Sequence, residues 1–341
     1  MIKYKIESTM PGGHIHTHMI IMQLKSTQQE EAFANISAII DELHKSHGYR
    51  IRGHEVHQTR EVMAKTTLAE RAEMVSRFCA QNDMQYLAYH SPILGGSQNV
   101  WEDRWRKKVR ESVALTIQEA QAVRKEAGLQ PDKKVVIVFH LASYVPLKEM
   151  PRTHKEKLAL YHAAEQEFLG LFAEQETDGC VLAVENTYPR RSGDSSSVGP
   201  FHPLELGRTM EKHGVRTALD LAHYQLYSNY LSRGGSGNVA GDLDWERYGR
   251  APSWERCIEA LAGSLALLHI SDARGFEVKG EGLPVGAGEI PFAQVLGACN
   301  SLGRDLQGTI ELNHGHLQKG RLQFESARWL LENVPGVFKE T

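Results

Sequence analysis

The chain has 341 residues, 39 Lys and Arg against 42 Asp and Glu, and a formal net charge of −3, so it lacks the basic footprint that binding to a phosphate backbone needs, and nucleic acid is disfavoured as a partner. Its hydrophobic share of 41% is spread without any run of about 18 apolar residues, which excludes a helical membrane span, and its N-terminal stretch has no apolar signal core. The four cysteines, Cys79, Cys180, Cys257 and Cys299, form no C-x-x-C pair and read as reduced thiols of a cytoplasmic protein.

In chain order, the first candidate strand is HIHTHMIIM at 14–22, followed by a helical pattern over 27–47 that stops at Gly48. A second strand, YRIRGHEVH, covers 49–57 and leads into helical spacing over 60–82. Next come QYLAYH ending at His90, a long helix over 100–128, VVIVFH ending at His140, and a helix over 154–175. CVLAVE ends at Glu185, RTALD at Asp220, LALLH at His269 and GTIE at Glu311, with helices expected over 203–214, 252–263, 291–303 and 324–334. Val/Ile/Leu-rich strands alternating with amphipathic helices argue for a parallel sheet covered by helices.

Six of these runs end on His, Asp or Glu, at intervals of 50, 45, 35, 49 and 42 residues. Such intervals are those of βα units, and polar residues at the C-terminal ends of strands are where a barrel keeps its chemistry. The expected fold is a (β/α)8 TIM barrel forming a single domain over 1–341, with a core from about 12 to 335. Three connections stand out on the catalytic face: 186–203, which carries Arg190 and Arg191; 224–252, long enough to be a candidate lid; and the Gly-rich 273–289.

Glu185, Asp220, His269 and Glu311 come from four successive strands and should converge at one mouth of the barrel. Three carboxylates and one imidazole make a hard, oxygen-rich site suited to one divalent ion: Mn²⁺, Mg²⁺, Co²⁺ or Zn²⁺. Without such an ion, three neighbouring carboxylates would repel one another. His90 and His140 read as imidazoles that orient substrate, with ligation of a second metal as the alternative. Arg274 is a candidate for binding a substrate hydroxyl, carboxylate or phosphate. His54, Glu55, His57 and Arg60 are expected to wall the pocket at the end of the second strand. His14, His16 and His18 would share one strand face, a pattern also found in amidohydrolase and PHP-type barrels, which place other residues where Glu185 and Glu311 stand here.

The segments VENT at 184–187, DLAH at 220–223, LHISD at 268–272, GAGEI at 286–290 and IELN at 310–313 resemble the xylose-isomerase-like, or AP-endonuclease family 2, TIM-barrel superfamily. The resemblance covers roughly residues 10 to 335. It implies a metal held by Glu185, Asp220, His269 and Glu311, and a substrate-oxygen contact from His223. It also implies a carbohydrate-like small-molecule substrate, and the superfamily often forms homo-oligomers. The nuclease branch places first-metal histidines at positions matching His90 and His140, but its D-x-H pair for a third metal falls on Gly280 and Gly282, which offer no side-chain ligand. The leading expectation is an isomerase or epimerase of a sugar, polyol or related hydroxy-carbonyl compound. Glu185 and Glu311 would act as base and acid across a metal-stabilised enediolate, and His223 would steady the oxyanion. Open beside it stand a dehydratase or lyase using the same site, an endonuclease-IV-like phosphodiester hydrolase, and a barrel that works only with a partner subunit.

Overall fold

The structure is a computed structural model that describes residues 19–92, 103–140, 143–149, 177–192, 194–198, 202–233, 248–313, 315 and 317–338, with some positions within 153–172. The barrel strands are β1 (Ile20–Thr27), β2 (Gly53–His57), β3 (Tyr86–His90), β4 (Val135–His140), β6 (Cys180–Glu185), β9 (Arg216–Asp220), β10 (Leu265–Ile270) and β11 (Leu306–Ile310). They close in the order β1-β11-β10-β9-β6-β4-β3-β2, and each neighbouring pair is parallel. Three short strands, β5 (Ser143–Pro146), β7 (Arg191–Ser192) and β8 (Ser195–Val198), form a separate antiparallel sheet from the connections that follow β4 and β6.

Alternation along each strand explains the packing, because successive side chains point to opposite faces. One face of β1 gives Ile20, Met22 and Leu24 to the large core between strands and helices. The inward face is filled by a smaller cluster that includes Ala88, Val136, Val138, Ala183, Ala218 and Leu267. Two residues further along the same inward face come His90, His140, Glu185, Asp220 and His269. The barrel thus has an apolar interior floor, and its functional side chains stand directly above it.

The helices follow the expected pattern with instructive departures. The pattern over 60–82 is two helices, Arg60–Lys65 and Leu68–Gln81, because Thr67 starts the second with a reciprocal capping box to Glu70. The first third of the expected long connection after Asp220 is helix, Leu221–Ser232, which buries Leu221, Ala222, Tyr224, Leu226, Tyr227, Tyr230 and Leu231. A helix apolar on nearly every side lacks the polar face on which periodicity depends, so it reads as loop. Residues 234–247, the rest of the candidate lid, lie outside the described residues.

The first strand also differs from expectation. It spans 20–27 rather than 14–22, and His14, His16 and His18 lie outside the described residues. The apolar run breaks at Gln23 and Lys25 because these face the barrel interior. Gln23 is buried there against Gln307 at 2.6 Å and accepts from Thr309 Oγ1 at 2.9 Å. No helix among the described residues is long and apolar enough to cross a membrane.

Candidate metal centre and active site

The strand C-termini open into a cavity of 360 Å³ lined in part by Lys25, His57, His90, His140, Glu185, Arg190, Asp220, His223, Glu281 and Glu311. That volume lies in the range of small-molecule sites, about 300–1,000 Å³. Register places the groups in pairs, with His57 beside His90, His140 beside Glu185, and Asp220 beside His269.

Glu185 is the hub. Its Oε1 lies 3.1 Å from His223 Nδ1, and its Oε2 lies 3.2 Å from His90 Nε2, 3.4 Å from His140 Nε2 and 3.4 Å from His269 Nδ1. Burial alone would raise its carboxyl, but His140, His269 and His223 outweigh burial and hold it well below the ordinary carboxylate range. His90 Nδ1 sits 3.0 Å from the carbonyl of Ser91, which can only accept, so this nitrogen carries the proton and Nε2 turns to Glu185 and to His140 Nε2 at 3.1 Å. Burial pushes His140 down to about 3, so it stands neutral at physiological pH. These contacts leave His90 and His140 open both to orienting substrate and to sharing Glu185 with a second ion.

His269 faces carboxylates on both sides of its ring. Nε2 lies 3.1 Å from Glu55 Oε2, while Nδ1 lies 2.7 Å from Glu311 Oε2 and 4.0 Å from Asp220 Oδ2. Asp220 also caps the helix that follows it, its Oδ1 accepting from His223 N at 2.6 Å, and Asn186 ties the two strands by donating from Nδ2 to the Asp220 carbonyl at 3.0 Å. Burial raises the Asp220 carboxyl to about 6.

Two members of this site were not read from the sequence as functional. Lys25 on β1 lies 2.6 Å from Glu311 Oε1 and 3.0 Å from Glu55 Oε1. Burial would lower its ammonium, but Glu311, Glu55 and Glu185 more than offset burial and keep it charged. Glu55, expected only as pocket wall, is fully buried and orients His269. Extending the two-residue alternation from Ile21 through Gln23 would have placed Lys25 at the mouth.

Glu281 is the third omission. Counting back from Gly286 draws attention to Gly280 and Gly282, and the carboxylate between them enters the cavity. It lies 3.1 Å from His223 Nε2, accepts from the Tyr188 hydroxyl and lies 3.7 Å from Arg190 Nη1. Burial works against it, but His223, Arg190 and Tyr188 bring it down to about 2. His223 Nδ1 is meanwhile 2.9 Å from the Asn186 carbonyl, so that nitrogen carries a proton and is not a metal ligand.

Glu281 owes its place to Asp272, whose two oxygens accept from the backbone N–H of Ala273, Gly286, Gly288 and Ile290 at 2.7 to 3.1 Å. A Cβ on Gly288 would meet both Ala273 O and Asp272 Oδ1 at 2.4 Å, so the turn accepts no larger residue there. The LHISD and GAGEI segments are therefore one structural device. Arg274 does not join the site: its guanidinium donates to the Ala287 carbonyl, and it lines a different surface depression with Arg233 and Phe276. The expected loop 186–203 is in part the small sheet, in which Ser197 Oγ accepts from Arg190 N at 2.9 Å and so sets Arg190 at the cavity rim.

The residues present fit a divalent ion. Nδ1 of His269 and Oε2 of Glu311 are buried without a hydrogen-bond partner, although they lie only 2.7 Å apart. With the Nε2 proton directed to Glu55, a deprotonated Nδ1 and Glu311 Oε2 would both offer lone pairs to a cation. Ligand atoms of His90, Glu185, His269 and Glu311 lie within 4.8 Å of one another, as do those of Glu185, Asp220 and His223. Three of the four expected ligands thus fall in one group with His90, and Asp220 falls in a second group that shares Glu185 with it.

No family model and no curated protein sequence matches the chain. Solved structures do match it over nearly its whole length. A D-tagatose 3-epimerase-like protein superposes with a TM-score of 0.59 at 15% identity, covering 92% of this chain and 98% of that one. The likeness is one of fold, a closed barrel of eight parallel strands. The 3-keto-D-glucoside 4-epimerase from E. coli gives a TM-score of 0.61 at 11% identity over 92% of this chain and 99% of its own. Endonuclease IV from Thermus thermophilus gives 0.54 at 15% identity over 91% and 99%. Epimerases and a nuclease therefore share this architecture, and the side chains at the mouth must carry any reading of function.

Proposed function

We propose that the protein is a divalent-metal-dependent isomerase or epimerase of a sugar, polyol or related hydroxy-carbonyl compound. The observation that carries this reading is the placement of Glu185 and Glu311 on either side of His269 Nδ1, at 3.4 and 2.7 Å, at the base of a cavity of small-molecule size. Glu185, Asp220, His269 and Glu311 would hold the ion, which would polarise a carbonyl and its neighbouring hydroxyl.

The chain's own groups supply the rest. Glu311 retains about a quarter of its side-chain exposure, at 26%, and takes or returns the proton on the open side, while Glu185 serves the buried side. His223, which Asp220, Glu281 and Glu185 hold protonated against burial, would steady developing negative charge on substrate oxygen. Arg190, Glu281 and Asn313 line the rim and would hold the remaining hydroxyls.

The test is to incubate the protein with Mn²⁺ and a panel of ketoses, aldoses and inositols in D₂O and to follow deuterium at the carbon next to the carbonyl by NMR. Exchange that disappears in Glu185→Gln and in Glu311→Gln supports the reading. Loss of water from substrate would move the assignment to a dehydratase, and cleavage of abasic-site DNA with no exchange in any sugar would overturn it.

A further inference from the structure

Lys25, Glu55 and His269, on β1, β2 and β10, and Glu311, directly after β11, form a closed ring across four neighbouring strands of the barrel. Around it, His269 Nδ1 meets Glu311 Oε2 at 2.7 Å, Glu311 Oε1 meets Lys25 Nζ at 2.6 Å, Lys25 Nζ meets Glu55 Oε1 at 3.0 Å, and Glu55 Oε2 meets His269 Nε2 at 3.1 Å. Each carboxylate therefore turns one oxygen to the histidine and the other to the lysine.

We infer that the Lys25 ammonium is a tethered cation filling the position between Glu55 and Glu311 that a further divalent ion would otherwise occupy. Glu55 is fully buried and Lys25 nearly so, with a relative exposure of 8%. Removing the ammonium would leave two fixed carboxylate oxygens without their shared counter-charge, in a place where His269 prevents either carboxylate from turning away. Buried like charges are strongly unfavourable, and oxygen-rich pairs of this kind draw hard divalent cations. The lysine is itself pinned: Gln23, two residues earlier on the same strand face, is bonded to Gln307 and Thr309. The ring thus keeps its charge balance when solvent ions are removed, and Glu311 offers only Oε2 to an ion at His269.

The experiment uses the full chain saturated with Mn²⁺ and freed of excess ion, with elemental analysis for the ion count and circular dichroism for the fold. Lys25→Met is expected to hold one more Mn²⁺ per chain than the wild type. Lys25→Arg, which keeps the charge, should match the wild-type count, and the double variant Lys25→Met/Glu55→Gln should lose the extra ion. Equal counts in wild type and Lys25→Met overturn the inference, as does an extra ion that survives the Glu55→Gln change. Failure of Lys25→Met to fold in saturating Mn²⁺ also overturns it, since an ion then does not replace the ammonium. The inference rests on Glu185, Asp220, His269 and Glu311 as ligands; a wild-type chain that holds no Mn²⁺ sinks that reading as well, whereas a loaded wild type with an unchanged variant sinks the inference alone.

Discussion

Glu55 grips His269 at Nε2, 3.1 Å away, and so leaves Nδ1 to face Glu311. A carboxylate behind a metal-ligating histidine fixes the ring and its tautomer, and losing one typically weakens metal binding by about 10–100-fold. Glu55→Gln should show that loss by isothermal titration with Mn²⁺ while the far-UV spectrum is unchanged. An affinity within about threefold of wild type would remove Glu55 from this role.

Asp272 collects four backbone N–H groups of the 273–290 loop. In Asp272→Ala these donors lose their acceptor, and the expected cost is roughly 2–4 kcal/mol after the loop relaxes toward water. Urea denaturation measures the cost, and hydrogen exchange should accelerate most at Gly286, Gly288 and Ile290. Gly288→Ala should behave similarly through its clash with Asp272.

Behind β1 and β3, Arg71 Nε and Glu119 Oε2 lie 2.6 Å apart with side chains 4% and 0% exposed. Glu119 also accepts from Gln28. Removing one partner strands a buried charge, and Glu119→Ala is expected to cost about 3–5 kcal/mol. The double variant Arg71→Met/Glu119→Leu should cost much less than the sum of its singles. Additive costs in a double-mutant cycle would show that the two side chains are not coupled.

His54 is fully buried against Phe33 and Phe78, and burial pushes its imidazole down to about 3 from an ordinary 6.5. The folded state therefore binds this proton less readily than the unfolded chain. Its contribution is complete above pH 6.5 and is lost as pH falls from there toward 3. His54→Gln should lose less stability than wild type between about pH 7 and about pH 4.5, read from urea midpoints. Parallel losses in the two proteins would assign the acid sensitivity elsewhere.

The strand ends are legible because each apolar run stops where the barrel interior meets solvent, so Glu185, Asp220, His269 and Glu311 announce themselves by position. Lys25 and Glu55 do not, since both lie in strands whose inward faces are polar and break the apolar run that marks a strand. Glu281 is hidden because its place depends on how Asp272 folds a loop, a contact between residues far apart in pattern though near in sequence. Arg274 looks like a pocket residue by its distance from His269, but the same loop turns it outward to Ala287. The helix at Leu221–Ser232 escapes notice because burial on nearly all sides erases amphipathic spacing.

The small sheet of β5, β7 and β8 has its own hydrogen-bond ladder and contributes no strand to the barrel. Its link to the chemistry runs through Tyr188 and Arg190, which Ser197 holds from the side. Floor and rim are thus separate parts: the strands β7 and β8, with β5 beside them, can be exchanged for others without re-registering any barrel strand. On the proposed function, substrate preference should therefore be open to redesign by grafting one short serine-rich segment.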